Sequence, residues 1–369
     1  MSVSENEDER NSSADNQSSP TSSDGGRGWR KTAINVAQWT IALGAFWYVA
    51  RDIDWEVTLV ELNTLGPTVI VGVLIITTLE FGSRFTMWYA LLNGREQTSF
   101  ETTARIDLVI KFINHVIPSK ASGHSVAPLI LRYYTDTNWS EAVSIAGLNT
   151  GLYATLYGFV ALLGLAVFMA KLTGGWIVAI LFSTGIYLVA GGLIMLAGRR
   201  MDIVGQLVSR LGKLFSVVPW IGNRLTSLVG SLPSFTTKSA GIFRALSTRT
   251  SVIIPYVLGW AGTLMIFPAL RVWLVLTALG GEFSPAILLP IVLVMAYSVT
   301  VLPLTPGGVG VAEASATAVF VSLGVAPEIA PVVILIDRSF GVYLPALLGW
   351  LPASNIDMSD VLTRRGDEG

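Results

Sequence analysis

The chain contains no cysteine. Disulfides, thiolate nucleophiles and cysteine-ligated metals are therefore excluded. Histidine occurs only twice, at His115 and His124, too few for a His-rich metal site. Charge is scarce as well. Charged residues make up 13% of the 369 positions and hydrophobic ones 52%, whereas a soluble domain carries about 25% charged residues. An ordinary water-soluble globule is excluded on that ground. Lys and Arg number 24 against 25 Asp and Glu, so net charge points to no nucleic-acid partner. What the charges say, they say through their placement.

What the chain has instead is long apolar runs. Six read as membrane spans, roughly 32–50, 66–93, 139–170, 175–197, 250–279 and 328–351, because 18 or more consecutive, mostly apolar residues suffice to cross the hydrocarbon. The expected class is an all-α integral membrane protein with its membrane domain over 29–351. Residues 1–28 are acidic and rich in Ser and Asn and read as a disordered tail, since they cannot bury enough apolar surface to offset chain entropy. Residues 352–369 read as a second polar tail.

Basic residues set the orientation. Arg27, Arg30 and Lys31 precede the first span, which predicts a cytoplasmic N-terminus. Asp52, Asp54, Glu56 and Glu61 follow it, an external signature. The loop over 199–249 carries Arg199, Arg200, Arg210, Lys213, Arg224, Lys238, Arg244 and Arg249 against Asp202, the strongest inside signal. Its apolar positions fall into two amphipathic helical faces, which predicts helices on the inner leaflet or a plain positive-inside connector. Arg364 and Arg365 place the C-terminus in the cytoplasm, and a plasma-membrane location follows.

Two apolar stretches, 103–134 and 285–325, are broken by Pro, Gly and charge. Each must leave and return on one side for the basic loops to stay inside. They are predicted as re-entrant hairpins or surface elements, entering from opposite sides. Span, hairpin, span then occurs twice in opposite orientations, which is the topology of an inverted repeat. Arg84 with Arg271, Gly94 with Gly281, Gly123 with Gly310, and Glu141 with Glu328 are each 187 residues apart. Topology carries the repeat; sequence identity does not.

Ionisable groups inside these stretches cost roughly 2.5–3.5 kcal/mol each on insertion scales, so each needs a reason. Glu80 and Arg84 lie four residues apart on one helix face, either a structural ion pair or a charged cavity wall. Asp107, Lys111, Asn114 and His115 form a polar stripe on a helix ending at Pro118, facing a wet cavity or lying flat on the leaflet. Lys120, Ser122 and His124 are expected at the tip of this first hairpin, where Gly123 also falls. In the second hairpin Pro303 and Pro306 stop a helix, and Gly307, Gly308 and Gly310 permit a tight turn. Glu313 then lies in the first turn of a helix whose free amides could hold an anion such as a lipid phosphate. No Lys-Ser/Thr follows these glycines, so this is not a nucleotide loop, and no cofactor is expected. Arg271 lies deep in the fifth span. Asp337 and Arg338 interrupt the last one, about 100° apart on the helix, so they need not pair with each other. Arg84, Lys111, Lys120, Arg271 and Arg338, balanced by Glu80, Asp107, Glu313 and Asp337, suit a zwitterionic or anionic lipid headgroup.

At Pro306-Gly307-Gly308-Val309-Gly310-Val311-Ala312-Glu313 the chain resembles the lysylphosphatidylglycerol synthase transmembrane-region family, also called flippase-like. The pattern Pro-Gly-Gly-x-Gly-x-x-Glu is matched, with Ala312 where an Arg is common. A second family motif, a Pro-containing turn leading to Gly-Glu and a downstream Arg, is matched by Pro118 and Gly123; His124 stands where the Glu is expected and Ala127-Pro128 where the Arg is. Arg84 before Trp88, and the Asp337-Arg338 pair, also look like family features. The resemblance implies a membrane module that works beside a soluble aminoacyl- or glycosyltransferase domain. No segment here is long enough for such a domain. The expectation is a stand-alone lipid flippase or translocator without an ATP motif. Its ligand would be a phospholipid or polyprenyl-linked lipid, with Arg84, Lys111, Arg271 and Arg338 on the phosphate. The alternatives are the membrane subunit of a lipid-modifying transferase whose synthase or glycosyltransferase is a partner chain, and a non-transporting scaffold.

Overall fold

The computed structural model describes residues 65–95, 97–116, 120–172, 174–201, 222–302, 305, 308–354 and 356. The span predicted over 32–50, both polar tails, and Pro118, Pro303, Pro306 and Gly307 lie outside the described residues. Among those described, helices run as α1 (Pro67–Leu92), α2 (Phe100–Val116), α3 (Lys120–Tyr134), α4 (Trp139–Phe168), α5 (Gly174–Arg199), α6 (Gly222–Thr248), α7 (Thr250–Ala278), α8 (Leu289–Tyr297), α9 (Val311–Ser322) and α10 (Ala330–Ser354).

α1, α4, α5, α7 and α10 are long and apolar enough to cross a membrane, and they coincide with the remaining five predicted spans. α1 opens with Pro67 in its first turn, where the missing N–H is no loss. It runs 26 residues, about 39 Å at 1.5 Å per residue. α4 starts with a capping box, Glu141 N–H on Asn138 Oδ1 at 3.1 Å and the Asn138 N–H on Glu141 Oε2 at 3.3 Å. These helices turn large apolar side chains outward: Ile70, Val71, Leu74, Ile75 and Leu79 on α1, Phe159, Leu163 and Val167 on α4, Val178, Phe182, Val189 and Leu193 on α5. Glu80, Arg84, Arg271, Asp337 and Arg338 are buried. Apolar groups outside with ions inside is the reverse of a water-soluble protein, and it is what a hydrocarbon surround requires.

Small residues set the helix spacing. A Cβ at Gly158 would lie 2.8 Å from Leu188, and one at Gly191 2.7 Å from the Thr155 backbone, so α4 and α5 press together almost backbone to backbone. Gly259 approaches the Ser83 carbonyl in the same way (2.6 Å), and Gly262 the Ser83 side chain, where α7 crosses α1. α7 changes to π-helical winding over Gly262–Ile266, and α10 does so over Ser339–Tyr343.

The ends of the spans sort into two sets. Arg95 pairs with Glu141 at 2.8 Å, Arg249 Nη1 donates to the Gly94 carbonyl at 2.9 Å, and Arg244 Nε donates to the Arg199 carbonyl at 2.6 Å. The end of α1, the start of α4, the end of α5 and the start of α7 thus share one end of the bundle. At the other end, Phe283 lies between Phe168 (6.4 Å) and Phe320 (6.1 Å). The hairpin α2–α3 leaves from the first end and α8–α9 from the second, which is the opposed entry expected from charge placement. α9 has 12 residues, about 18 Å, short of a hydrocarbon core of about 30 Å.

The hairpins are interior elements. Ile106 and Val109 of α2 and Ile130 and Leu131 of α3 share one core with Leu91, Leu92, Ile145 and Leu148. Val292, Leu293 and Met295 of α8 share another with Val319 and Phe320 of α9 and Val333 and Ile334 of α10. A first hairpin lying flat on the leaflet does not describe this packing. One expectation needs correction. Lys120, Ser122, Gly123 and His124 are not in an open tip, because α3 is helical from Lys120 and only 117–119 separates it from α2. Gly123 inside a helix costs only about 1 kcal/mol, which the burial of Ala127, Ile130 and Leu131 offsets. Beyond the predicted faces, whose side chains lie outside the described set, the C-terminal part of the basic loop packs into the bundle. Ala240, Ile242, Phe243 and Leu246 of α6 are buried, and Ser144 Oγ of α4 donates to the Ser239 carbonyl at 3.0 Å. One face predicted in that loop, including Leu207 and Leu211, lies outside the described residues.

A candidate buried charge network

Arg271 stands at the centre, 1% exposed. Its Nη1 reaches Glu80 Oε2 at 2.5 Å and Thr77 Oγ1 at 3.4 Å; Nε and Nη2 both reach Asp337 Oδ1, at 3.0 and 2.6 Å. One guanidinium thus joins α1, α7 and α10. Glu80 gives its other oxygen to Arg84 Nη2 at 2.8 Å, the predicted pair one turn along α1. Arg84 Nη2 also donates to the Gly341 carbonyl at 2.8 Å. Four residues on is Pro345, which has no N–H to return to that carbonyl. Gly341 is required by space as well, since a Cβ there would lie 2.6 Å from Arg271 Nη2.

A second cluster joins α9 to α10. Glu313 Oε1 accepts from Arg338 Nε at 3.0 Å and from the Tyr343 hydroxyl, while Oε2 accepts the Gly310 N–H at 2.7 Å. Gly308 and Gly310 take positive φ, 75° and 79°, the backbone that favours glycine. Leu302, before Pro303, is extended at ψ 124°, as the clash with a following proline requires. Of the helix N-terminal amides expected to be free for an external anion, that of Gly310 is occupied. The chain supplies its own carboxylate there, since the first-turn Glu313 reaches it without leaving its helix.

Tyr297 links the clusters. Its hydroxyl donates to Asp337 Oδ2 at 2.8 Å, and its ring faces the Arg338 guanidinium at 5.5 Å. Asp337 and Arg338 thus serve separate partners, as their angular offset implied. Tyr297→Phe keeps the ring and removes the donor. The expected result is a loss of about 1–3 kcal/mol, the cost of leaving one buried carboxylate oxygen unserved. Thermal unfolding in detergent reads it, and an unchanged midpoint would refute the link.

From the first hairpin, Trp88 Nε1 donates to Asp107 Oδ1 at 3.2 Å. Lys111, one turn along α2, lies within electrostatic reach of Arg84, Asp107, Glu80 and Arg338. His115 keeps Nδ1 on the Lys111 carbonyl at 2.8 Å. Lys120 and His124 belong to α3, with side chains outside the described set. Gly307 likewise falls outside it. The structure therefore gathers Glu80, Arg84, Arg271, Glu313, Asp337 and Arg338, with Asp107 and Lys111 at their edge. Measured along α7 and α10 the network lies on the order of 10 Å from the end where the second hairpin enters, and along α1 about 20 Å.

Sequence reading did not find the tyrosines. Tyr153 and Tyr157 stack at 5.7 Å, and Tyr157 and Tyr187 at 4.5 Å. Tyr153 lies within electrostatic reach of both Arg84 and Arg338. The spacing of Tyr153 and Tyr157, one turn apart on a span, was the available signal. Tyr297 and Tyr343 had none, because their partners are remote in sequence.

Compared with known proteins, the chain matches the family described as the lysylphosphatidylglycerol synthase TM region over residues 35–349. It is 26% identical over 249 residues to a UPF0104 membrane protein of Methanothermobacter thermautotrophicus, covering 66% of this chain and 72% of that one. No solved structure matches.

Proposed function

The chain belongs to the lysylphosphatidylglycerol synthase transmembrane-region family, and we propose that it works as a lipid translocator, passing a polar headgroup along a charged interior while the tails stay in lipid. The observation that carries this reading is the network between two hairpins that enter from opposite ends. Ions in hydrocarbon are expensive, and a purely structural network would use all its donors. Arg271 does. Arg84 keeps Nε and Nη1, and Arg338 keeps Nη2, without a partner among the described residues. On this reading Arg271, Glu80 and Asp337 hold the helices in place. Arg84, Lys111 and Arg338 receive the headgroup phosphate, and Glu313 orients Arg338. The basic end carrying Arg95, Arg199, Arg244 and Arg249 faces the cytoplasm.

The test is movement of fluorescent phospholipid between leaflets of proteoliposomes. Arg84→Gln combined with Arg338→Gln is expected to lower the rate at least tenfold, while Lys171→Gln, at an exposed site, leaves it unchanged. Equal rates in empty and protein-bearing vesicles would sink the proposal. A chemically new lipid in place of a moved one would mark a transferase subunit instead.

A further inference from the structure

The network leaves atoms of both hydrogen-bonding kinds unserved among the described residues. The donors are Arg84 Nε and Nη1 and Arg338 Nη2, on side chains 5% and 7% exposed. The acceptors lie on α2. Asp107 is 4% exposed; Trp88 serves its Oδ1, and Oδ2 has no partner among the described residues. Asn114 Oδ1, two turns deeper on α2, has none either. Lys111 does not reach the free Asp107 oxygen. The two sets are linked through neighbouring residues. Arg84 and Trp88 are one turn apart on α1, Trp88 holds Asp107, and Lys111 lies within electrostatic reach of Arg84, Arg338 and Asp107 together.

Charge balance narrows what fits. Arg84, Lys111, Arg271 and Arg338 are matched by Glu80, Asp107, Glu313 and Asp337, so the described cluster is neutral as it stands. A net anion would leave excess negative charge in a low-dielectric interior, and a net cation excess positive charge. A zwitterion preserves the balance. The free carboxylate oxygen adds a second demand, an N–H donor, which a quaternary ammonium lacks.

We infer that the site selects a phospholipid headgroup carrying a phosphate and a primary ammonium with no net charge, of the ethanolamine kind. The phosphate lies against Arg84 and Arg338, and the ammonium against Asp107. The inference rests on the translocator reading for its setting and on the unserved atoms for its chemistry.

Binding tests it apart from movement. The full-length chain in detergent is titrated with dihexanoyl phosphatidylethanolamine, phosphatidylcholine and phosphatidylglycerol, and with free phosphoethanolamine. The ethanolamine lipid is expected to bind about tenfold more tightly than the other two lipids, the worth of one charge-assisted hydrogen bond. Asp107→Asn is expected to erase the preference over phosphatidylcholine, and a far-UV circular dichroism spectrum and gel-filtration profile like the parent's show that the variant is folded. Trp88→Phe, which removes the neighbouring bond and keeps the acceptor, is expected to preserve the preference. Equal binding of the ethanolamine and choline lipids, tighter binding of phosphatidylglycerol, or a preference that survives Asp107→Asn would overturn the inference. Phosphoethanolamine binding as tightly as the lipid supports the same chemistry and makes the soluble headgroup its source. Preferential binding with no lipid movement sinks the translocator reading and keeps the site; movement of all lipids alike with no binding preference does the reverse.

Discussion

Arg271→Met is expected to destabilise the protein by about 3–5 kcal/mol, the cost of breaking a buried ion cluster by removing one partner. The size comes from what is left behind. Glu80 would keep only Arg84, and Asp337 only the Tyr297 hydroxyl, among the described residues. Methionine fills much of the volume, so packing contributes little to the loss. The companion variant Glu80→Gln/Arg271→Met/Asp337→Asn removes the stranded charge and is expected to recover most of the stability, since a buried ion group replaced as a whole is often neutral to stability. Arg271→Lys is expected to fall between them, because one ammonium cannot bridge two carboxylates as a planar fork does. Unfolding midpoints in detergent decide the matter. If the single variant is as stable as the parent, or the triple variant is no better than the single, Arg271 is not what joins α1, α7 and α10.

Gly349→Ala is the second large effect, and here the sign runs against local propensity. Alanine for glycine in a helix ordinarily gains about 0.4–1 kcal/mol through the unfolded state. At Gly349 the added Cβ would run into the Leu108 carbonyl oxygen, with Leu108 C at 2.7 Å and Phe112 Cβ at 2.9 Å. None of these atoms can rotate away, so α10 must lift off α2. The expected loss is about 1–3 kcal/mol or more, with the Tyr134 hydroxyl bond to the Pro352 carbonyl (3.2 Å) strained at the same crossing. Gly192→Ala is the control, because nothing lies within 4 Å of a Cβ there; it should be neutral or slightly stabilising. Equal behaviour of the two variants would mean that the first hairpin is not clamped by the last span.

How far the sequence reached depended on the range of the interaction. The five described spans were legible because a hydrocarbon surround imposes a length and a composition that local residues carry alone. Glu80 and Arg84 were legible as a pair because a helix fixes the distance across one turn. The offset of Asp337 and Arg338 was legible for the same reason. Glu313 was flagged as a capping residue or a site residue; the structure shows the cap, one oxygen on Gly310, and sets the other on Arg338 and Tyr343. The first hairpin was misread at its tip, since Gly123 and the serines around it weaken a helix locally and only the packing of Ala127, Ile130 and Leu131 outweighs that.

Composition and charge placement by themselves determined an all-helical membrane protein with two interrupted, ion-bearing hairpins, because solvent sets those patterns residue by residue. Which ions meet was decided only by the tertiary structure. Arg271 is 191 residues from Glu80 and 66 from Asp337, and no periodicity spans such separations. The close approaches at Gly259, Gly341 and Gly349 bring the helices near enough for one guanidinium to bind two carboxylates. Arg84, Arg338 and Asp107 keep atoms without a partner among the described residues, a remainder set by the same long-range packing and not by any local pattern.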